Sequence, residues 1–296
     1  MTNRRLCFSK TDSPETRGES ARSTAARRLG TKPHAQCWRG IRVEGEPTRP
    51  WPRVCADVAL VGRVGKDAEA DAALALLREG DVDLSGVVAV DDAATGVALI
   101  TVAASGENQI VVAPGANRRL ASETLQVPAG DALIGEVLAP LDAVARAVVE
   151  FGGFTCVNLA PAKEVDDAVL RGADLIVVHE SKAAWYGERL ALREGLVAKT
   201  FGSSGAALVQ GGEEVARVSS MRLEAVDTTG AGDAFTAALT LALVEGQSLA
   251  EALRFACAAG AATTQAEGPS PPCRRETRCD ASCAIPKRAK GSCSDR

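Results

Sequence analysis

The sequence predicts an α/β fold: a mostly parallel sheet covered by helices on both faces, in three layers. Three observations carry this. From Asp131 to Thr264 strand-length apolar runs alternate with helical periods, and such alternation builds parallel sheets with crossovers on both faces. The 296 residues are 46% hydrophobic and only 3% aromatic, so Ala, Val and Leu fill the core of one large domain. The texture also changes abruptly at Ala56, where the patterned part begins.

Residues 56–62, Ala-Asp-Val-Ala-Leu-Val-Gly, read as a buried strand. Residues 66–80 have helical spacing, with Ala70, Ala73, Leu74 and Leu77 on one face. Residues 87–90 and 95–102 are strands, 105–108 a turn and 109–112 a returning strand, which makes a hairpin. Residues 132–138 form a strand and 141–150 a helix. Further strands follow at 155–158, 174–178, 197–200 and 206–209. Helices 231–245 and 248–264 close the patterned part. Ligands of such sheets bind at the carboxyl ends of the strands.

The stretch Asp227-Thr-Thr-Gly-Ala-Gly-Asp233-Ala-Phe235 lies where a short apolar approach meets helix 231–245. Glycines at a helix mouth let the backbone come close to a ligand, and the first turn presents unpaired N–H groups. Those groups and the helix dipole attract anions, phosphate above all. A carboxylate set inside that site, Asp233, gains by taking a proton from something else, as a general base beside a transferring phosphoryl group does. Gly-Ala-Gly-Asp alone would equally suit the start of a packing helix. The nine residues together are far more specific.

This nonapeptide resembles the signature of the ribokinase-like sugar kinases, the phosphofructokinase-B family. Three other stretches resemble the family in the same order. They are Gly106-Glu-Asn-Gln-Ile-Val-Val-Ala-Pro-Gly115-Ala-Asn117, Val157-Asn158-Leu-Ala-Pro161-Ala and Thr200-Phe-Gly202-Ser-Ser-Gly205. The resemblance covers about residues 56–266 and implies a ribokinase-like three-layer fold with a small β lid within about 95–112. It implies ATP-dependent phosphorylation of a sugar hydroxyl, D-ribose first among the sugars. Asp233 would be the base, and Gly230, Ala231 and Gly232 the anion hole. Thr200, Gly202, Ser203 and Gly205 would hold the nucleotide, with His179 and Cys257 beside it. Glu136 and Asp233 would touch the sugar, magnesium would bridge the phosphates, and Asp227 and Thr229 resemble a potassium site. Pairing of two copies through lid strands is implied as well.

The chain departs from the family pattern in several places. Where the family shows Asn-x-x-Glu, this chain reads His179-Glu180-Ser181-Lys182, and His179 would equally suit a strand-end cap. Cys257 stands where the family often has Asn near the adenine. Glu136 lies in Gly-Glu-Val-Leu-Ala-Pro140, a variant of the family's Gln-x-Glu-x-Pro. The family's N-terminal sugar-binding motifs are absent from residues 1–55. Two alternatives therefore stand beside the ribose reading: a nucleotide-binding relic without turnover, and a related kinase for another sugar or a nucleoside.

Residues 1–55 and 267–296 read as irregular segments. They hold 12 Lys/Arg against 5 Asp/Glu and 7 against 4, excesses of +7 and +3 that leave −14 for the middle of a chain of net charge −4. The basic tails show neither a recognition motif nor aromatic interleaving, so no nucleic-acid partner is expected. Seven of the nine cysteines lie there, without paired zinc-knuckle spacings. At the codon level, Arg49-Pro-Trp-Pro-Arg-Val-Cys55 read two nucleotides forward can encode Ala-Val-Ala-Ala-Arg-Leu. Glu267-Gly-Pro-Ser-Pro-Pro-Cys-Arg274 read so can encode Gly-Ala-Gln-Pro-Ser-Leu-Pro, the peptide the family shows after its last helix. Both tails thus read as out-of-frame translations flanking an in-frame core, and the sheet is expected to lack its first strand. No apolar run has the length of a membrane span and the N-terminus has no signal-peptide core, so a cytoplasmic location without membrane contact is expected.

Overall fold

The computed structural model describes residues 56–265 except 81, 104–107, 192, 220–224, 226, 227 and 229, together with the backbone of two strands at 5–9 and 26–32. A nine-stranded sheet forms the middle layer. Its strands are β1 (Arg5–Ser9), β3 (Asp57–Gly65), β4 (Asp83–Val90), β7 (Ala132–Glu136), β8 (Phe154–Asn158), β9 (Leu175–His179), β10 (Leu196–Thr200), β11 (Ala206–Gln210) and β12 (Glu213–Val218). The order is β12-β11-β10-β9-β8-β7-β1-β3-β4, and every neighbouring pair is parallel except those made by β11. A separate three-stranded sheet joins β2 (Ala26–Lys32), β5 (Val97–Ala103) and β6 (Asn108–Ala113) in antiparallel fashion.

Two of these strands correct the reading of residues 1–55 as wholly irregular. β1 lies between β3 and β7, in the place expected to be empty, and β2 adds a third strand to the hairpin. A short run such as Leu6-Cys7-Phe8 between charged and polar neighbours carries no period long enough to be read as a strand. β12 was missed for a related reason. It is an edge strand whose side chains are mostly exposed, so Glu213-Glu-Val-Ala-Arg-Val218 lacks the apolar run of its neighbours. The expected hairpin turn at 105–108 falls largely outside the described residues.

Helices α1 (Ala68–Glu79), α2 (Leu141–Glu150), α3 (Asp167–Gly172), α4 (Glu180–Tyr186), α5 (Glu188–Ala191), α6 (Ala231–Val244) and α7 (Leu249–Thr263) make the outer layers. The four α1 residues chosen by spacing, Ala70, Ala73, Leu74 and Leu77, are the buried ones. One face of the sheet (Val58, Leu60, Ala132, Ile134, Cys156, Leu175, Val177) packs on α1, α6 and α7 through Leu74, Leu77, Phe235, Ala238, Leu239 and Leu253. The other face (Val157, Ile176, Val178, Val197) packs on α2 to α5 through Val144, Val148, Leu170, Tyr186 and Leu190. Alternate strand residues face opposite sides, so both faces must be covered, and the three-layer expectation holds.

The root of the small sheet is tied to β3 through Asp67, the N-cap of α1. Its carboxylate accepts from Ala70 N at 2.9 Å, Thr95 N at 2.7 Å and Thr95 Oγ1 at 2.5 Å. Gly65 N in turn donates to Thr95 Oγ1 at 2.9 Å. Burial pushes the carboxyl pKa up, but the hydrogen bonds from Thr95 and Ala70 prevail and hold it below the usual carboxylate range. Asp67→Ala is expected to lower stability by about 1–3 kcal/mol, as lost caps with stranded donors do. A depressed carboxyl contributes stability above its unfolded pKa and loses it as pH falls through the folded value. The melting difference between parent and variant should therefore shrink below about pH 4. Thermal melts at pH 7 and pH 3 check this.

Candidate active site

Four of the residues singled out in the sequence stand along one edge of the sheet, at the carboxyl ends of β7 to β10. Glu136 ends β7 opposite Asn158, which ends β8, and His179 ends β9 opposite Thr200, which ends β10. β12 runs parallel to β10, so it too ends at this edge, and the connection 219–230 leaves from there to α6. Glu136 is buried and shares its side of the strand with Ala132 and Ile134, which pack in one cluster with Phe235 of α6. Deeper in, the thiol of Cys156 bonds to Thr240, two turns along α6 from Asp233.

The head of α6 is built for close approach. Gly230 caps it with φ of 84°, a left-handed conformation that disfavours any side chain. Ala234 N donates to Gly230 O at 2.9 Å, closing the first turn with Asp233 inside it. A Cβ placed on Gly232 would meet no atom within 4 Å, so the space beside this turn is open. Of the two glycines, the conformational demand lies on Gly230, while Gly232 leaves room beside the turn. Asp227 and Thr229 lie outside the described residues.

The loop after β10 is a second tight turn with open space beside it. Phe201 N donates to Gly205 O at 2.8 Å, with Gly202 at φ 56° and Gly205 at φ 104°. Ser203 is exposed, and a Cβ on Gly202 would meet nothing within 4 Å. The Arg217 guanidinium lies over the Phe201 ring at 4.9 Å and is held by two bonds to Glu214, 2.8 and 2.5 Å, so β12 braces the loop root. Sequence reading passed over Arg217 because it passed over β12.

His179 turns out to cap α4. Its Nδ1 accepts from Ser181 N at 3.3 Å and lies 2.8 Å from Ser181 Oγ, which leaves only Nε2 for any ligand. Cys257 is buried in α7, and burial pushes its thiol pKa up to about 11, so it is a neutral thiol at physiological pH. One turn further along α7 lies Gly260, whose Cβ, if present, would sit 3.0 Å from the Ala231 carbonyl and 3.5 Å from Phe235 Cβ. That contact brings α7, and Cys257 with it, against the first turn of α6. Nothing in the motif spacing pointed to Gly260, an inner residue of an Ala-rich helix. Among the described residues no group of three or more His, Cys, Asp or Glu is placed to hold a metal ion. No helix among them is long and apolar enough to cross a membrane.

Comparison with known proteins shows the family and the fold. The chain is 31% identical over 249 residues to a ribokinase of Haemophilus influenzae, covering 76% of this chain and 81% of that protein. It is 30% identical over 238 residues to a ribokinase of Schizosaccharomyces pombe, covering 71% of this chain and 74% of the relative. The fold is that of the crystal structure of Arabidopsis thaliana ribokinase complexed with ribose and ATP, with a TM-score of 0.71 at 23% identity, over 93% of this chain and 97% of that one. The model of the pfkB family carbohydrate kinases matches residues 49–276, most of the sequence and all of the edge just described, and the chain belongs to that family.

Proposed function

We propose that this carbohydrate kinase transfers the γ-phosphoryl group of ATP to D-ribose, giving D-ribose 5-phosphate and ADP, with Asp233 as the general base. The observation that carries the reading is the glycine-capped head of α6 with Asp233 in its first turn, in a chain whose relatives at 30–31% identity are ribokinases. Asp233 takes the proton of the sugar hydroxyl, and Glu136 holds another sugar hydroxyl. The backbone of Gly230, Ala231 and Gly232 at the positive end of α6, where Ala231 N also donates to Thr228 O at 3.3 Å, stabilises the charge that develops in transfer. Thr200, Gly202, Ser203 and Gly205 hold the nucleotide, with Cys257 as a neutral wall near the base.

The residues fit a nucleotide, because both glycine turns have open space where backbone must approach phosphate. Magnesium is usually held by one or two carboxylates and the substrate's own phosphates. ATP would supply the phosphoryl group, and magnesium would offset the charge of its phosphates. Asp227 and the Thr229 carbonyl would hold potassium. The cytoplasm, where ATP is plentiful, is the proposed location. Two copies would pair through the small sheet, where Leu99 and Val111, direct cross-strand partners, are 46% and 66% exposed. Sedimentation of the parent and of Val111→Lys checks the pairing.

ADP formation with ribose, with other pentoses and hexoses, with nucleosides and with no acceptor tests the reading. Ribose preferred over all of these supports it; calorimetric ATP binding without turnover would favour a relic. Gly260→Ala should lower kcat roughly tenfold with little change in ribose KM, since the crowded Ala231 carbonyl shifts the first turn by a few tenths of an ångström. The two tails are proposed to be out of frame with the core, and an intact reading frame in independent gene sequences would sink that idea.

A further inference from the structure

The edge that carries His179 and Thr200 also carries a cation with no assigned task. Lys182 lies on α4 one turn past His179 and is half-buried. α4 packs on both β9 and β10, and His179 stands directly opposite Thr200, the first residue of the glycine loop. Lys182 therefore stands at the corner where the end of β9 meets that loop. No ion pair holds it among the described residues, whereas seven other lysine and arginine side chains there, Lys66 and Arg189 among them, have carboxylate partners. The nearest carboxylate in sequence, Glu180, is two residues away on a helix and points to a different side. A lysine without a carboxylate partner, on a helix that packs against the two strands ending at this edge, offers its charge to an anion there.

We propose that Lys182 binds the polyphosphate of the nucleotide directly, so that nucleotide affinity at this site does not depend wholly on magnesium. The inference rests on the nucleotide reading of the 200–205 loop. The point charge of a lysine suits phosphate oxygens. Three residues on, Trp185 is 55% exposed and offers a fluorescent reporter of this corner.

The test is a calorimetric titration of the full chain with ATP, ADP and adenosine, in EDTA and again in excess magnesium, for the parent, Lys182→Met and Lys182→Arg. In EDTA, Lys182→Met should weaken ATP and ADP by about tenfold or more, as loss of a charge-assisted bond does, and leave adenosine unchanged. Magnesium should narrow that gap, and Lys182→Arg should restore most of the affinity. ATP binding by Lys182→Met within twofold of the parent in EDTA would overturn the proposal. Equal loss of adenosine would also overturn it, since that marks a folding defect rather than a phosphate contact. If the parent binds no nucleotide at all, the reading of the loop fails, which is a separate result.

Discussion

Asp233→Asn is expected to reduce phosphoryl transfer by about 10²–10⁴-fold while ATP affinity stays within about threefold of the parent. The amide keeps the size of the carboxylate and its place in the first turn of α6, so the helix start and the open space beside Gly232 are preserved. What it loses is the ability to accept a proton from the acceptor hydroxyl. Removing a negative charge from a site that also receives phosphates should, if anything, ease nucleotide binding. The split between kcat and nucleotide affinity therefore identifies a base, where a merely structural residue would move both. Single-turnover measurement of ADP with saturating ribose reads the chemical step, and a variant within threefold of the parent would remove Asp233 from the mechanism.

The residues at the head of α6 and in the 200–205 loop were legible in the sequence because glycine at fixed spacing has a backbone consequence. Gly230, Gly202 and Gly205 all adopt positive φ, the conformation that glycine in such motifs supplies. Strands β7 to β10 were legible for a different reason. Buried on both faces, they are near-continuous apolar runs, and their carboxyl ends bring Glu136, Asn158, His179 and Thr200 to one line. Short and edge elements were not. α3, α4 and α5 have seven residues or fewer, too few for a 3.6-residue period to show, and the exposed side of β12 hides its apolar residues. For the same reason the brace made by Arg217 escaped notice, since it depends on an element not foreseen, whereas the cap made by His179 was one of its two readings. Gly260 escaped because its role is a close approach between two helices, which no single-helix pattern records.

Arg193 escaped for yet another reason, and its loss should give the largest change in stability. It is 3% exposed, and its guanidinium donates from Nε to Leu170 O at 2.8 Å and from its two terminal nitrogens to Leu196 O and Ala173 O. Three carbonyls from the end of α3, the residue after it and the start of β10 thus converge on one side chain. Burial pulls its pKa down to about 10, still well above neutrality, so the group is charged when it makes these bonds. Gly195 is glycine because a Cβ there would lie 2.4 Å from Arg193 Nη2 and 2.8 Å from Asp174 O. Arg193→Met keeps the length of the chain but leaves the three carbonyls without their donor, each costing roughly 1–3 kcal/mol when buried, offset in part by relief of the buried charge. A net loss of about 3 kcal/mol or more is expected, a large share of the about 5–15 kcal/mol that holds a domain together. Because the cluster sits at the amino end of β10, away from Thr200, nucleotide affinity at low temperature should be unchanged. Denaturant melts of Arg193→Met, Gly195→Ala and the double variant check the arrangement. The two losses should add to less than their sum, since the clash with the guanidinium vanishes once Arg193 is gone. Strict additivity, or a melt of Arg193→Met indistinguishable from the parent, would show that the carbonyls find other donors.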